Sequence, residues 1–314
     1  KEIDRVLTRK LERRTGPPFE KLTLESLTEG LDALLRSQLK SPFTISQVSW
    51  LSGGASKLQV AFTLNWTPEG ADATSTPLVL RMEPSEAITE TSRLREFQLI
   101  KAMEGVVPVP PTYWMDPYAE FLPYPAIIYG FAKGVTKPTQ SAGGVSGVAT
   151  YMPPEIRQTL GAQFVEHLAK IHTFDWRNAD LSSYDAPSSG EQAMDWNLNR
   201  WERVWEEDAH EDIPLMRIAM GWLRRNPPKM DHISVVHGDY RVGNFLFTEP
   251  DYRISAWLEY YDILNSYKCV AITLATGYRA PRNGKTHQDV LVAWLAGISY
   301  RLLDELHTQL EQVL

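Results

Sequence analysis

Cysteine is almost absent from this 314-residue chain: Cys269 stands alone, which excludes an intramolecular disulfide and a cysteine-rich zinc site. No apolar run approaches the roughly 18 residues needed to span a bilayer. Basic residues nowhere gather into a run, and 32 Lys and Arg face 39 Asp and Glu, for a net charge of -7. That balance argues against a nucleic-acid partner. A Gly-x-Ser-x-Gly elbow is missing and no serine has a persuasive histidine partner, which sets hydrolase chemistry aside. Neither an internal repeat nor a low-complexity tract is present. The opening Lys1-Glu2-Ile3-Asp4-Arg5 lacks the apolar core of a signal peptide, so a reducing, cytoplasmic setting is expected. What the chain does have is apolar mass: 43% hydrophobic and 11% aromatic, enough for one large or two moderate domains.

Periodicity divides the chain in two. The first 22 residues are charged and contain Pro17-Pro18, which suggests a loosely attached arm. Thr23 is a plausible N-cap for a helix over 24–39, with Leu27, Leu31, Leu34, Leu35 and Leu39 on one face. Strand-like runs follow at 48–51, 58–66 and 78–82, then a helix over 89–103 with Leu94, Phe97, Ile100 and Ala102 as its buried side. Two more strands are expected at 112–115 and 126–131. The Gly-, Ser- and Thr-rich stretch 132–154 reads as a linker plus a mobile loop. Beyond it the pattern is mainly helical: Ile156, Leu160, Phe164, Leu168 and Ile171 mark one helix. Others span 191–205 and 214–225, and a last one starts near His287.

The most informative stretch is His237-Gly238-Asp239-Tyr240-Arg241-Val242-Gly243-Asn244, between the strand-like runs 233–236 and 245–247. It places an acid and an amide five residues apart on a turn-prone loop. Asp239 can orient a substrate hydroxyl while Asn244 turns toward a metal, the pairing that phosphoryl transfer requires. The competing reading is a hairpin whose Asp and Asn only cap turns. The loop Ser52-Gly53-Gly54-Ala55-Ser56-Lys57 joins two strands and can lay backbone N–H groups over phosphate oxygens, or be an ordinary turn. Arg81 ends an apolar strand, where a cation is costly unless paired. Glu96 on the next helix can supply the pair, or both can face solvent. Glu259 ends the strand-like run 254–258, fifteen residues after Asn244, and can return to the same metal, with Asp262 in reserve. His172 and His237 read as groups that orient backbone. Trp201 and Trp205, four apart, read as a packed helix face rather than a substrate cage.

Taken in order, these pieces resemble the aminoglycoside phosphotransferase family of small-molecule kinases. The octapeptide from His237 to Asn244 is similar to that family's catalytic loop nearly letter for letter. Leu51 to Ser56 is similar to its nucleotide loop, Leu78-Val79-Leu80-Arg81 to its third strand, and Leu168-Ala169-Lys170-Ile171-His172 to a helix end. The resemblance covers roughly 45–280. It implies an α+β, two-lobed protein-kinase-like fold: a small five-stranded N-lobe with one inserted helix within 1–131, and a larger, mainly helical C-lobe over 132–314. It implies transfer of the γ-phosphate of ATP or GTP to a hydroxyl of a small molecule, with Mg²⁺ as cofactor. Asp239 would act on the acceptor. Ser52, Gly53, Gly54, Ser56, Arg81 and Glu96 would serve the nucleotide, and Asn244 and Glu259 the metal. The run 126–131 would lead to the hinge, and the helices over 191–225 would form the acceptor pocket. Acceptor and oligomeric state stay open. Two departures stand out. Relatives usually carry Asp-Trp-Glu where this chain has Glu259-Tyr260-Tyr261, and Gly-Asp-Pro where it has Ser266-Tyr267-Lys268. The extra methylene of Glu259 moves a carboxylate by about 1.5 Å, so a nucleotide- or metabolite-binding pseudokinase is the alternative.

Overall fold

The computed structural model describes residues 1–18, 20–51, 57–84, 87, 90–139, 152–230, 232–238, 240–241, 243–257, 265–276, 279, 297 and 299–311. Helix α2 (Leu24–Gln38) starts where the Thr23 side chain accepts from the Ser26 N–H at 3.2 Å. It buries Leu27, Leu31, Leu34 and Leu35, as their spacing demands. The strands β1 (Thr44–Trp50), β2 (Leu58–Trp66), β3 (Thr74–Met82), β4 (Thr112–Asp116) and β5 (Ala126–Gly130) form one antiparallel sheet in the order β1-β2-β3-β5-β4. In β2, Leu58, Val60, Phe62 and Leu64 alternate inward and meet the α2 leucines. Helix α3 (Arg93–Met103) follows β3 and packs on β4 and β5. It is capped by Ser92, whose hydroxyl accepts from the Arg95 N–H, so its first residue, Arg93, comes four residues later than expected. Its buried side also differs: Arg93, Leu99, Ile100 and Met103 are inside, while Leu94, Phe97 and Ala102 are only half-buried. A helix period counted on apolar residues alone misses a face that buries an arginine.

The second half is helical: α4 (Pro154–His172), α5 (Gly190–Asp208), α6 (Pro214–Arg225), α7 (Asn265–Val270) running into a π-helical turn (Ala271–Thr276), and α8 (Ser299–Glu311). Trp201 and Trp205 lie in one core with Met216, Met220, Leu274, Leu306 and Leu310. The short hairpin β6 (Phe245–Phe247) and β7 (Ile254–Trp257) holds the segment after the linker. The described part of that linker is pinned to it, because Val135 and Phe247 exchange backbone bonds at 2.9 and 3.0 Å. Gly134, at φ +147°, is required there: a Cβ would meet Leu246 and the Phe247 carbonyl at 3.0 Å. The expected strand at 233–236 does not form a strand among the described residues, and the Ile233 carbonyl is taken by Trp176 Nε1 at 3.0 Å.

The arm is also different from its expected loose attachment. It forms a helix, α1 (Glu2–Arg13), with Val6, Leu7 and Lys10 buried. Leu7 joins the helical core, and the Lys10 ammonium pairs with Asp208 at the end of α5. Asp208 also receives Arg14, Thr276 and Arg279, the last at 3.4 Å. Burial would raise its carboxyl, but Lys10 and Arg279 outweigh that and hold it below the usual range. On its other side α1 reaches the sheet-bearing half: Ser92 donates to Glu2, and Arg13 donates to the Pro84 carbonyl at 3.4 Å. One helix therefore ties α3 to α5. Removing one partner of a buried, multiply bonded ion cluster leaves uncompensated charge, so Asp208→Ala is expected to lose about 3–5 kcal/mol in urea unfolding. A loss under about 1 kcal/mol would show that α1 adds little to the fold.

Candidate functional site

Arg81 sits on β3, the central strand, paired with Gln59 of β2 and Ile127 of β5. Leu80 and Met82 point to the α2 core, so Arg81 points to the opposite face, toward α3. It is buried, and its Nε lies 3.1 Å from Glu96 Oε1. The hydroxyl of Tyr129 also bonds with Arg81. The pair is one end of a longer chain of charges. Glu96 also meets Arg93, and Arg93 Nη2 lies 3.0 Å from Glu83 Oε2. Glu83 Oε1 takes the Lys57 ammonium at 2.7 Å, and Thr91 donates its hydroxyl to Glu83 at 3.0 Å. Lys57, Glu83 and Arg93 have essentially no exposure. Burial would raise the Glu83 carboxyl, but Lys57 and Arg93 hold it below the ordinary value. Burial pulls the Lys57 ammonium down, against the pull of Glu83.

This chain of charges runs from the residue that closes the glycine-containing loop to the cation expected at the phosphates. Lys57, Glu83 and Arg93 were not singled out from the sequence. The available signal was three ionisable residues directly flanking an apolar strand and a helix start. Ser52, Gly53, Gly54 and Ser56 lie outside the described residues, as do Asp239 and Glu259.

Around the octapeptide, the described residues form a packed aromatic bed. His237 is 1% exposed and edge-on to Tyr240 and Trp257, at 5.2 and 5.4 Å between ring centres. Tyr240 stacks on Trp257 at 4.2 Å, and its hydroxyl donates to the Phe164 carbonyl of α4. Burial raises the Tyr240 phenol, which keeps it a donor at neutral pH. Trp257 Nε1 donates to Nδ1 of His167 at 3.2 Å, so that ring is an acceptor at Nδ1, and burial lowers its pKa. Gly238 has φ +77°, a left-handed turn that suits glycine, and its carbonyl accepts from the Lys268 ammonium at 3.1 Å. Asn244 is buried where the loop enters β6, its N–H on the Arg241 carbonyl at 3.2 Å. A carboxamide oxygen here and a carboxylate at Glu259 are hard oxygen donors of the kind Mg²⁺ takes. Among the described residues, no group of three His, Cys, Asp or Glu could hold a metal.

A cavity of about 1150 Å³ lies between α3 and the second half of the chain. Arg81 and Glu96 line it on one side. The segment 232–236, which leads directly into His237, lines it on the other. Trp176, Tyr184, Met194, Trp196 and Arg200 add an aromatic and basic wall. Arg177 lies over Trp176 at 4.4 Å, and Asp185 is taken up by Arg95 at 3.2 Å. Of the two helices expected to form the acceptor pocket, α5 lines the cavity, whereas none of its described lining residues comes from α6, which packs in the core behind. His172, expected to orient backbone, has a side chain that makes no hydrogen bond among the described residues, and it does not line the cavity. Among the described residues, no helix is long and apolar enough to cross a membrane.

These features match a known class. The family model described as "Phosphotransferase enzyme family" matches residues 49–256, and the chain belongs to that family. A putative aminoglycoside phosphotransferase from Ralstonia eutropha JMP134 superposes with TM-score 0.59 at 20% identity, covering 88% of this chain and 95% of that one. A thermostable variant of aminoglycoside phosphotransferase APH(4)-Ia, in ternary complex with AMP-PNP and hygromycin B, gives TM-score 0.50 at 13% identity, covering 88% and 98%. The chain has a two-lobed, kinase-like fold of this kind. Among curated proteins, Acyl-CoA dehydrogenase family member 11 of Gallus gallus is 34% identical over 97 residues, 31% of this chain and 12% of that protein. Family member 10 of Mus musculus is 24% identical over 227 residues, 68% and 20%. The chain spans less than a quarter of the length of these relatives.

Glu90, on the loop between β3 and α3, offers a test of the buried electrostatics. Burial and the nearby Glu83 push its carboxyl up to about 7, from 4.5. The folded state keeps the proton that the unfolded chain releases, so this stabilising proton is fully bound below pH 4.5 and lost as pH rises toward 7. Glu90→Gln removes that loss. Relative to the parent, it is expected to gain about 1–3 kcal/mol between about pH 5 and pH 8 in urea unfolding. A difference that is constant with pH would mean Glu90 is ionised throughout.

Proposed function

We propose that the chain transfers the γ-phosphate of ATP or GTP to a hydroxyl of a small molecule. The observation that carries this is Arg81, held by Glu96 on the wall of a cleft whose other wall leads directly into the Asp239 loop. Arg81 would meet the nucleotide phosphates, and the main chain of residues 52–56 would cover them. Asp239 would orient the acceptor hydroxyl and take its proton. Asn244 and Glu259 would hold Mg²⁺, which would supply positive charge to neutralise the charge developing on the phosphates. The aromatic bed under Tyr240 fixes the loop, so that catalysis rests on positioning and preorganised charge. Residues 1–131 and 132–314 would form the nucleotide and catalytic lobes, with α1 reaching across.

The acceptor side can be narrowed. Trp176, Tyr184 and Trp196 offer apolar area, and Arg177 and Arg200 offer charge, at one wall. That suits an apolar acceptor carrying an anionic group better than a polycationic aminoglycoside. The APH(4)-Ia neighbour is complexed with hygromycin B, and the curated relatives carry acyl-CoA in their names. Hydroxylated carboxylic acids and their thioesters are therefore the first acceptors to assay. The departure at Glu259-Tyr260-Tyr261 favours one rival, a nucleotide-binding pseudokinase.

Thermal shift with ATP and GTP, each with and without Mg²⁺, is the direct test, since a ligand of the folded state adds about 2.7 kcal/mol at a hundredfold excess over Kd. A Mg²⁺-dependent shift is expected, and no shift under any condition would remove the kinase reading. Asp239→Asn is expected to keep nucleotide binding while slowing phosphoryl transfer by about 10²–10⁴. Binding by the parent with no transfer to any acceptor or water would leave the pseudokinase.

A further inference from the structure

Lys268 stands in the stretch where this chain departs from the family's Gly-Asp-Pro, and the structure gives it a specific place. It lies on α7, 8% exposed, with its ammonium 3.1 Å from the Gly238 carbonyl. The same ammonium lies 5.6 Å from the ring centre of Trp201 on α5, a ring that is itself 2% exposed. Taking an ammonium out of water is costly, and its contacts here include a loop carbonyl and an indole face.

The carbonyl in question belongs to the peptide group that joins Gly238 to Asp239. A peptide unit is planar, so a bond that fixes its oxygen restricts the whole unit, up to the Cα of the next residue. Gly238, at φ +77°, has no side chain to restrain that turn by itself. Trp201 is fixed in the helical core, and α5 also carries Met194, Trp196 and Arg200 into the cleft. The ammonium therefore connects the acceptor-side helix to the peptide immediately before the expected catalytic acid.

We propose that Lys268 is a positioning residue for phosphoryl transfer, clamping the Gly238–Asp239 peptide against Trp201 and so setting the catalytic loop relative to α5. The inference rests on the phosphotransferase reading for its effect on turnover, but the clamp itself is a structural claim that can be read without activity. Two readouts on the full chain separate them: amide hydrogen exchange of a peptide covering 240–247, and formation of ADP from ATP with Mg²⁺.

For Lys268→Met, loop exchange is expected to quicken about tenfold or more, while thermal melting stays close to that of the parent. ADP formation is expected to fall about a hundredfold with little change in the Kd for Mg²⁺-ATP, since a loop misplaced by about 1 Å costs that much. Lys268→Arg, which keeps charge and donors, should restore most of both. Unchanged loop exchange in K268M, or unchanged turnover in a parent that does turn over, overturns the proposal. If the parent binds no nucleotide, the phosphotransferase reading fails, and loop exchange alone still decides whether Lys268 holds the loop. Should K268M not fold, K268Q carries the test with the same expectation, quickened loop exchange together with slower turnover, and both holding at the parent's values overturns the clamp. One moving without the other overturns it.

Discussion

The buried chain Lys57–Glu83–Arg93–Glu96–Arg81 is the constraint on which the rest of the site depends. It joins the end of the glycine-containing loop, the end of the central strand and the first turn of α3. Five ionised side chains out of water carry a large desolvation penalty, repaid only when geometry is good and each charge has its partners. The alternation of sign along the chain supplies this, with Thr91 completing the coordination of Glu83. An apolar cluster of the same volume would pack at least as stably. What charges add is direction: the ion pairs tie the first turn of α3 to the end of β3, and Glu96 orients Arg81.

The second constraint is Asp208, which fixes α1 across the molecule. Lys10, Arg14, Thr276 and Arg279 converge on one carboxylate, while the first turn of the same helix reaches Ser92, the cap of α3. Placement of α3, and hence of Glu96 and Arg81, is therefore connected through α1 to α5, a helix that lines the cleft. The two walls of the site are held by continuous ionic and hydrogen-bonded contacts, and the cleft between them depends on both.

How much of this could be read beforehand follows from which forces leave periodic traces. The leucines of α2, the alternation in β2 and the Trp201–Trp205 spacing record apolar burial, the prolines at the two ends of α6 record where a helix can start and must stop, and each element formed where those patterns placed it. Arg81 and Glu96 stood out because a cation at an apolar strand end requires a partner. By contrast, α1 was obscured by its own charges. Ile3, Val6 and Leu7 do mark a helical face, but its next position is Lys10, buried against a residue nearly 200 positions away. Lys57 and Glu83 were not singled out for the same reason: their partners are set by tertiary structure alone. The run 233–236 carries strand-like residues but pairs with no strand among the described residues, since no local signal says whether a ladder partner will be present.

A crystal structure of the chain with AMP-PNP and Mg²⁺ tests the central claim most directly. The account places the triphosphate in the cleft between α3 and the segment 232–236, with Arg81 on its oxygens and still paired to Glu96, and Mg²⁺ on Asn244 and Glu259. Nucleotide bound elsewhere, or bound with Arg81 turned away from the phosphates, would contradict it.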